Sequence, residues 1–272
     1  YMQFYFAFKL IRQLYKTFMK TKIMFFSLTL YLMFVFCSTM FGQKNDLKKL
    51  NLKGNIKSIR ELSYNVIENL GDIQKGKTNF SYYNIFNING NKIEDNRYNS
   101  DGSLDKKYIY KYNSTGFRIE QNLFTSDDIL IRKITYKYDN LGNTIEDNSF
   151  TPEGNLDKKY TFKYDSTGNR IEENQFTSAD ILKRKITYKY DNLGSIIEDN
   201  SYTPEGKLIK KYTYKCDDNG NVIEENCYSS DGSILSKFTN KYEYDNHGNW
   251  NRKIEFEDNK AKYLIERQIE YY

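Results

Sequence analysis

Apolar and polar residues alternate along most of the chain with a period of two. In Lys159-Tyr160-Thr161-Phe162-Lys163-Tyr164 the rings fall on one side of an extended segment and Lys, Thr and Lys on the other. The same columns recur as Tyr108, Tyr110, Tyr112, as Ile134, Tyr136, Tyr138 and as Ile186, Tyr188, Tyr190. A second kind of segment reads Ile-Glu-acid-Asn-x-aromatic, as from Ile171 to Phe176. These two residues lie five apart and cannot share a face in a regular strand. Either a bulge separates them or one sits at a strand end. Two kinds of turn punctuate the strands. Asp139-Asn140-Leu141-Gly142-Asn143 suits a type I turn closed by a left-handed Gly, and Thr151-Pro152-Glu153-Gly154 presets its first central φ with Pro. Alternate units replace the second turn by Thr125-Ser126-Asp127-Asp128 or Thr177-Ser178-Ala179-Asp180, where Asp tolerates that backbone less comfortably.

The pattern repeats. Gly90, Gly116, Gly142, Gly168, Gly194 and Gly220 are spaced by 26 residues, and Gly248 follows after 28. The 52 residues from Gly116 and the 52 from Gly168 agree at 38 positions, so a pair of units was duplicated. Removing roughly eight turn residues leaves about nine per strand, or about 30 Å. The predicted fold is all-β: an elongated antiparallel sheet of about seven tandem β-hairpins, a meander that is twisted or partly wrapped, in which each unit leans on the next. Lys and Glu columns on neighbouring strands are expected to pair across the polar face. Four regions follow: a leader over 1–42; a cap strand (Leu52 to Arg60) and an irregular segment over 43–78; the hairpin repeats over 79–250; and a capping hairpin over 251–272, turning at Glu257-Asp258-Asn259.

Composition supports strands. Aromatic residues make up 17% of the chain, 26 of them Tyr, which suits a pleated, half-buried surface and excludes a disordered chain. The formal charge of +5 resides in the leader, where Lys9, Arg12, Lys16, Lys20 and Lys22 face no acid; the remainder holds 41 − 5 = 36 basic and 36 acidic residues. A neutral body argues against nucleic acid as a partner. Met19 to Gly42 has the order of a secretory signal, and Met19 is the expected start. The run from Ile23 to Phe41 is also long enough for an uncleaved anchor helix, and Cys37 is a candidate lipidated N-terminus. Signal and anchor readings both export everything after residue 43, and contact with a membrane is expected only through the leader.

The recurring Tyr-x-Tyr-Asp-x-x-Gly-Asn, for example Tyr136 to Asn143, resembles the YD (RHS-type) repeat of bacterial surface and secreted proteins over about residues 80–250. The resemblance implies a β-hairpin array and a place at the surface, in the periplasm or outside a Gram-negative bacterium. The 26-residue unit is longer than the usual YD repeat, and the units are fewer than the shell of a large RHS protein needs. The chain looks more like small exported YD-like proteins of Bacteroidetes-type bacteria.

No enzyme chemistry stands out, and no cofactor or metal is expected. His247 is a lone turn histidine, and Glu172 and Glu173 are adjacent on a strand and point to opposite faces, unlike a converging glycosidase pair. The Asp217-Asp218-Asn219-Gly220 turn lacks the Glu an EF-hand needs. Cys216 is expected opposite about Asn221 rather than Cys227, which argues against a disulfide between them. The leading expectation is a non-enzymatic exported scaffold that offers an extended surface to an unknown protein or glycan. One alternative is a carbohydrate-binding module in which Tyr110, Tyr136, Phe162, Tyr188 and Tyr214 stack on sugars. Another is a small relative or partner of an RHS-type toxin-delivery system. Against the sugar reading, the same rings are the apolar face from which a core must be built.

Overall fold

The structure, a computed structural model, describes residues 45–69 and 71–272. The expected signal or anchor helix and Cys37 lie outside the described residues. A one-turn helix, α1 (Asp46–Lys49), precedes sixteen strands. They are β1 (Ile56–Asn69), β2 (Asp72–Phe86), β3 (Lys92–Tyr98), β4 (Leu104–Tyr112), β5 (Arg118–Thr125), β6 (Leu130–Tyr138), β7 (Thr144–Phe150), β8 (Leu156–Tyr164), β9 (Arg170–Thr177), β10 (Leu182–Tyr190), β11 (Ile196–Tyr202), β12 (Leu208–Cys216), β13 (Val222–Ser229), β14 (Ile234–Tyr244), β15 (Trp250–Glu257) and β16 (Lys260–Tyr271).

Each strand pairs antiparallel with its chain neighbours, and β1 also pairs with β16, so the sheet closes into a barrel. This corrects the expected elongated, twisted or partly wrapped sheet: the wall closes completely. The hairpins and their register are the same in an open or a closed meander. Closure depends on twist and tilt summed over all strands and on two complementary end strands. The C-terminal hairpin therefore does not cap an edge. β16 joins β1 with Ile269 opposite Ile59 and Arg267 opposite Glu61, which abolishes both edges. The stretch that reads as irregular up to Lys77 is also strand: β1 and β2 are 14 and 15 residues long.

The turns form as their residues dictate. In the Asp139 turn the Gly142 amide donates to the Asp139 carbonyl at 3.1 Å, and Asp139 Oδ1 accepts from the amides of Leu141 and Asn143. Gly142 has φ +83°, while Asp128 and Asp180 take +60° and +59° in the units that lack Gly. A bulge separates Ile171 from Phe176. Lys163 faces Glu172, but the next residue, Tyr164, faces Arg170, so Ile171 is the extra residue. The same bulge recurs at Tyr112 and Tyr138 and bends the wall once per unit.

Residues 45–55 identify the inner face. The side chain of Asp46 reaches Arg118 on β5, and the Asn51 amide donates to the Asn219 carbonyl between β12 and β13. Either way round the wall these strands are eight apart, or about 38 Å. Five residues of chain extend at most about 18 Å, so the segment crosses the inside of one mouth, here termed the near mouth. Leu47 and Leu52 pack there on Ile56, Ile59, Phe86, Ile269 and Tyr271, the apolar core cluster of the barrel.

Candidate functional site: the barrel lumen

Strand alternation sorts every side chain of the wall. Lys111, Glu120 and Lys133 face outward, and Glu120 bridges the two lysines at 2.6 Å each. Glu172 bridges Lys163 and Lys185, and Glu198 bridges Lys189 and Lys211, at 2.7–2.8 Å. The expected Lys–Glu pairing thus occurs on the outer face. In each unit an Asn, such as Asn122 or Asn174, donates to the same Glu. The lysine pair beside Glu120 holds its carboxyl down to about 2. A mid-height belt of Glu, Lys and Asn is the opposite of the apolar band a lipid-facing barrel presents.

The inner face is aromatic and charged in layers. At the near mouth the Tyr112, Tyr138, Tyr164 and Tyr190 hydroxyls donate to the carbonyls of Lys92, Arg118, Thr144 and Arg170, at 2.6–2.8 Å. Cys216 occupies the next position in this ladder and reaches the Ile196 carbonyl only at 3.9 Å. The Tyr112 hydroxyl shares its one proton between the Lys92 carbonyl and Asp46, whose other oxygen accepts from Arg118 at 2.8 Å. Burial alone would raise the Asp46 carboxyl, but the Arg118 charge and the Tyr112 hydroxyl keep it below its usual value.

The five rings singled out from the sequence form a single row at mid-height. The Arg118 guanidinium lies 4.4 Å from the Tyr110 centroid and that of Arg170 lies 4.2 Å from Phe162. The Tyr136 hydroxyl donates to Gln121 at 2.8 Å, Tyr188 to Glu173 at 3.2 Å and Tyr214 to Asp199 at 2.6 Å. Burial raises all four phenols, Tyr136 to about 12.

A second row escaped the sequence reading. Asp95, Gln121, Asp147, Glu173, Asp199 and Glu225 recur every 26 residues and share the inner face with the rings. Burial, then the Glu173 charge, pushes Asp147 up to about 7. Burial also raises Asp199 and Glu225. Glu172 and Glu173 do point to opposite faces, as alternation requires; the signal for the inner row lay in the second acid of each pair. A third inner cluster lies at the seam, where Arg267 stacks 3.3 Å from the Trp250 ring and donates to Glu61 at 2.9 Å.

The remaining candidates stay apart from this wall chemistry. His247 stacks on Tyr271 at 4.0 Å in a turn at the near mouth. Cys216 lies opposite Val222, and both it and Cys227, which faces Tyr212, are free thiols.

No family model matches the chain, and no curated protein matches it. Among solved structures it is similar to a porin-like protein from Bacteroides uniformis, at 12% identity and a TM-score of 0.55, over 80% of this chain and 99% of that one. This likeness is one of fold: a closed barrel of porin-like shape. A Photorhabdus luminescens Tc holotoxin pore matches 74% of this chain and 14% of its own at 13% identity, with a TM-score of 0.28. A DUF1329 family protein from Desulfovibrio piger matches 79% and 86% at 11% identity, with a TM-score of 0.27. Likenesses as slight as these two carry no argument, and the YD resemblance rests on the repeated motif itself.

Proposed function

We propose that this protein is a non-enzymatic, exported binding barrel that works in water and takes an oligosaccharide against the inner face of its wall. One observation carries the reading: the rings from Tyr110 to Tyr214 alternate with Gln121 and the carboxylates of Asp147, Glu173 and Asp199 on a single inward face. Glu173 has the Arg170 guanidinium at 3.1 Å, but Asp147 and Asp199 form no ion pair among the described residues, and a dry core would exclude them because burial without a paired charge destabilises a carboxylate. Rings that stack on the faces of a sugar, beside carboxylates that accept from its hydroxyls, are the usual makings of a carbohydrate site. The closed wall replaces the extended outer surface of an open scaffold, since the outer lysines are already neutralised by glutamates. A glycan array probed with the wild type and with Tyr136→Ala/Tyr188→Ala tests the reading. Binding by the wild type that falls at least tenfold in the double variant supports it. A blank array, or a double variant that binds as well, overturns it.

A further inference from the structure

The inner face carries a row of cations at the far mouth, opposite α1. Lys106, Arg132, Lys158, Arg184 and Lys210 recur every 26 residues, each the third residue of its strand. Register puts them inward. Arg132 faces Leu123, which itself faces the inward Tyr108; Lys158 and Lys210 face the buried Ser149 and Ser201. Arg97 on β3 extends the row, stacked 4.7 Å from the Tyr108 ring, and a cleft of about 450 Å³ between Phe80, Tyr82 and Arg97 opens beside it.

These cations differ from the outer ones. Each outer lysine next along the chain has an acid: Lys107 meets Asp128, Lys133 meets Glu120, Lys159 meets Asp180, Lys185 meets Glu172 and Lys211 meets Glu198. In the inner row, Lys106 lies 3.6 Å from Asp105, its chain neighbour. Arg132, Lys158, Arg184 and Lys210 form no ion pair among the described residues, and Arg184 donates instead to the Ser201 hydroxyl at 2.6 Å. Arg184 and Lys210 are exposed. Four of the five cations at the far mouth therefore lack an ion pair among the described residues, while each neighbouring outer lysine has one.

Their spacing restricts what can satisfy them. The five lie on alternate strands, roughly 10 Å apart along the wall. A single phosphate or carboxylate spans at most two of them. A linear chain with one anionic group per disaccharide presents charges on that scale and meets several at once. The carboxylate row lies two residues deeper, about 7 Å away, so an acidic chain is held at the rim while its uncharged ring faces reach toward the tyrosines.

We infer that the far mouth is a collar for an acidic polysaccharide, held through its repeating anionic groups by Lys106, Arg132, Lys158, Arg184 and Lys210. This rests on the oligosaccharide reading above and names the class of sugar. The test is calorimetric titration of the full chain with a hyaluronan decasaccharide, which carries one carboxylate per disaccharide, and with neutral chitohexaose. It is run on the wild type, on Lys158→Gln/Arg184→Gln/Lys210→Gln and on Tyr136→Ala/Tyr188→Ala, at low and at raised salt. The expected result is preference of the wild type for hyaluronan, a loss of tenfold or more in the triple variant and a shallower salt dependence there. Equal affinity for the neutral chain, or an unaffected triple variant, overturns the collar. If chitohexaose binds and only the tyrosine variant weakens it, the collar fails and the lumen reading stands. If hyaluronan binding falls only in the triple variant, the collar stands and the tyrosine site fails. Binding of neither sugar removes both. Circular dichroism of each variant excludes unfolding as the cause.

Discussion

The wall made by the repeats and the seam where the barrel closes are built on different physics. Wall strands β3 to β13 are 7–9 residues long, and their inner face is a mixture of rings, carboxylates and guanidinium groups in which few side chains are fully buried. The seam has strands of 12, 14 and 15 residues, the apolar cluster of Leu47, Ile56, Ile59 and Phe86, and the crossing segment from Asn45 to Asn55. Ile56 and Phe86 are 0% and 1% exposed, whereas the most buried wall rings, Phe162 and Tyr110, keep 8% and 9%. Repetition supplies a wall with polar groups on both faces, and the non-repeating ends supply the dry core and the closure. A regular repeat cannot do both, because each unit has the same neighbours on either side and no reason to end.

The largest expected effect follows from attacking the seam. Phe86→Ala or Ile59→Ala removes a fully buried side chain and is expected to cost about 2–5 kcal/mol, read as the midpoint of urea unfolding. Phe162→Ala in the wall is expected to cost less, since its ring already borders the lumen; an equal cost would erase the contrast between the two regions. Deletion is the sharper form of the same test. Removing residues 116–167 takes out the four strands β5 to β8 and rejoins like to like, so a closed barrel of 16 − 4 = 12 strands should form. Its smaller radius by small-angle scattering, with β circular dichroism retained, would show that the wall is modular. Removing β15 and β16 instead leaves two open edges and should give aggregates.

A smaller effect is expected from the lumen carboxylates, and its sign is fixed by their shifts. Asp147 is raised to about 7 in the fold, so its ionisation there opposes folding increasingly from about pH 4 to pH 7. Asp147→Asn should therefore melt higher than the wild type at pH 8, with the difference vanishing near pH 4. The outer row behaves oppositely. Glu120, Glu172 and Glu198 are depressed to about 2, so their contribution is complete above about pH 4.5 and is lost as pH falls toward 2. A wild-type melting temperature that is flat from pH 5 to pH 2 would contradict the outer pairing.

The smallest effects lie in the turns. Gly142→Ala puts a Cβ at φ +83° and 3.0 Å from the Phe117 ring, and should cost about 1–2 kcal/mol. Asp128 occupies φ +60° where other units have Gly, so Asp128→Gly relieves that backbone but gives up the exposed pair with Lys107, and the net change should stay within about 1 kcal/mol. A clear loss for Gly142→Ala beside a small change for Asp128→Gly in thermal melts would show that each unit's turn is set locally.

The turn residues, the strands of the repeats and both column patterns could be read from the chain alone, because each depends on interactions within one 26-residue unit, whereas the bulge at Ile171 and the long strands β1 and β2 could not. The Lys–Glu pairing on the outer face and the opposed directions of Glu172 and Glu173 follow from a period of two. The five rings from Tyr110 to Tyr214 were likewise legible as one column, but their environment was not. With closure undecided they could be read only as core or as exposed platform, and neither Asp147 nor Lys158 stood out among many polar residues. Closure decided the rest. It turned one face of the sheet into a lumen, enclosed Asp147 and Glu173 within it, and aligned the cations from Lys106 to Lys210 along one mouth while residues 45–55 crossed the other. Those relations join residues many units apart, through curvature summed over sixteen strands, and no local pattern of polar and apolar positions encodes that sum.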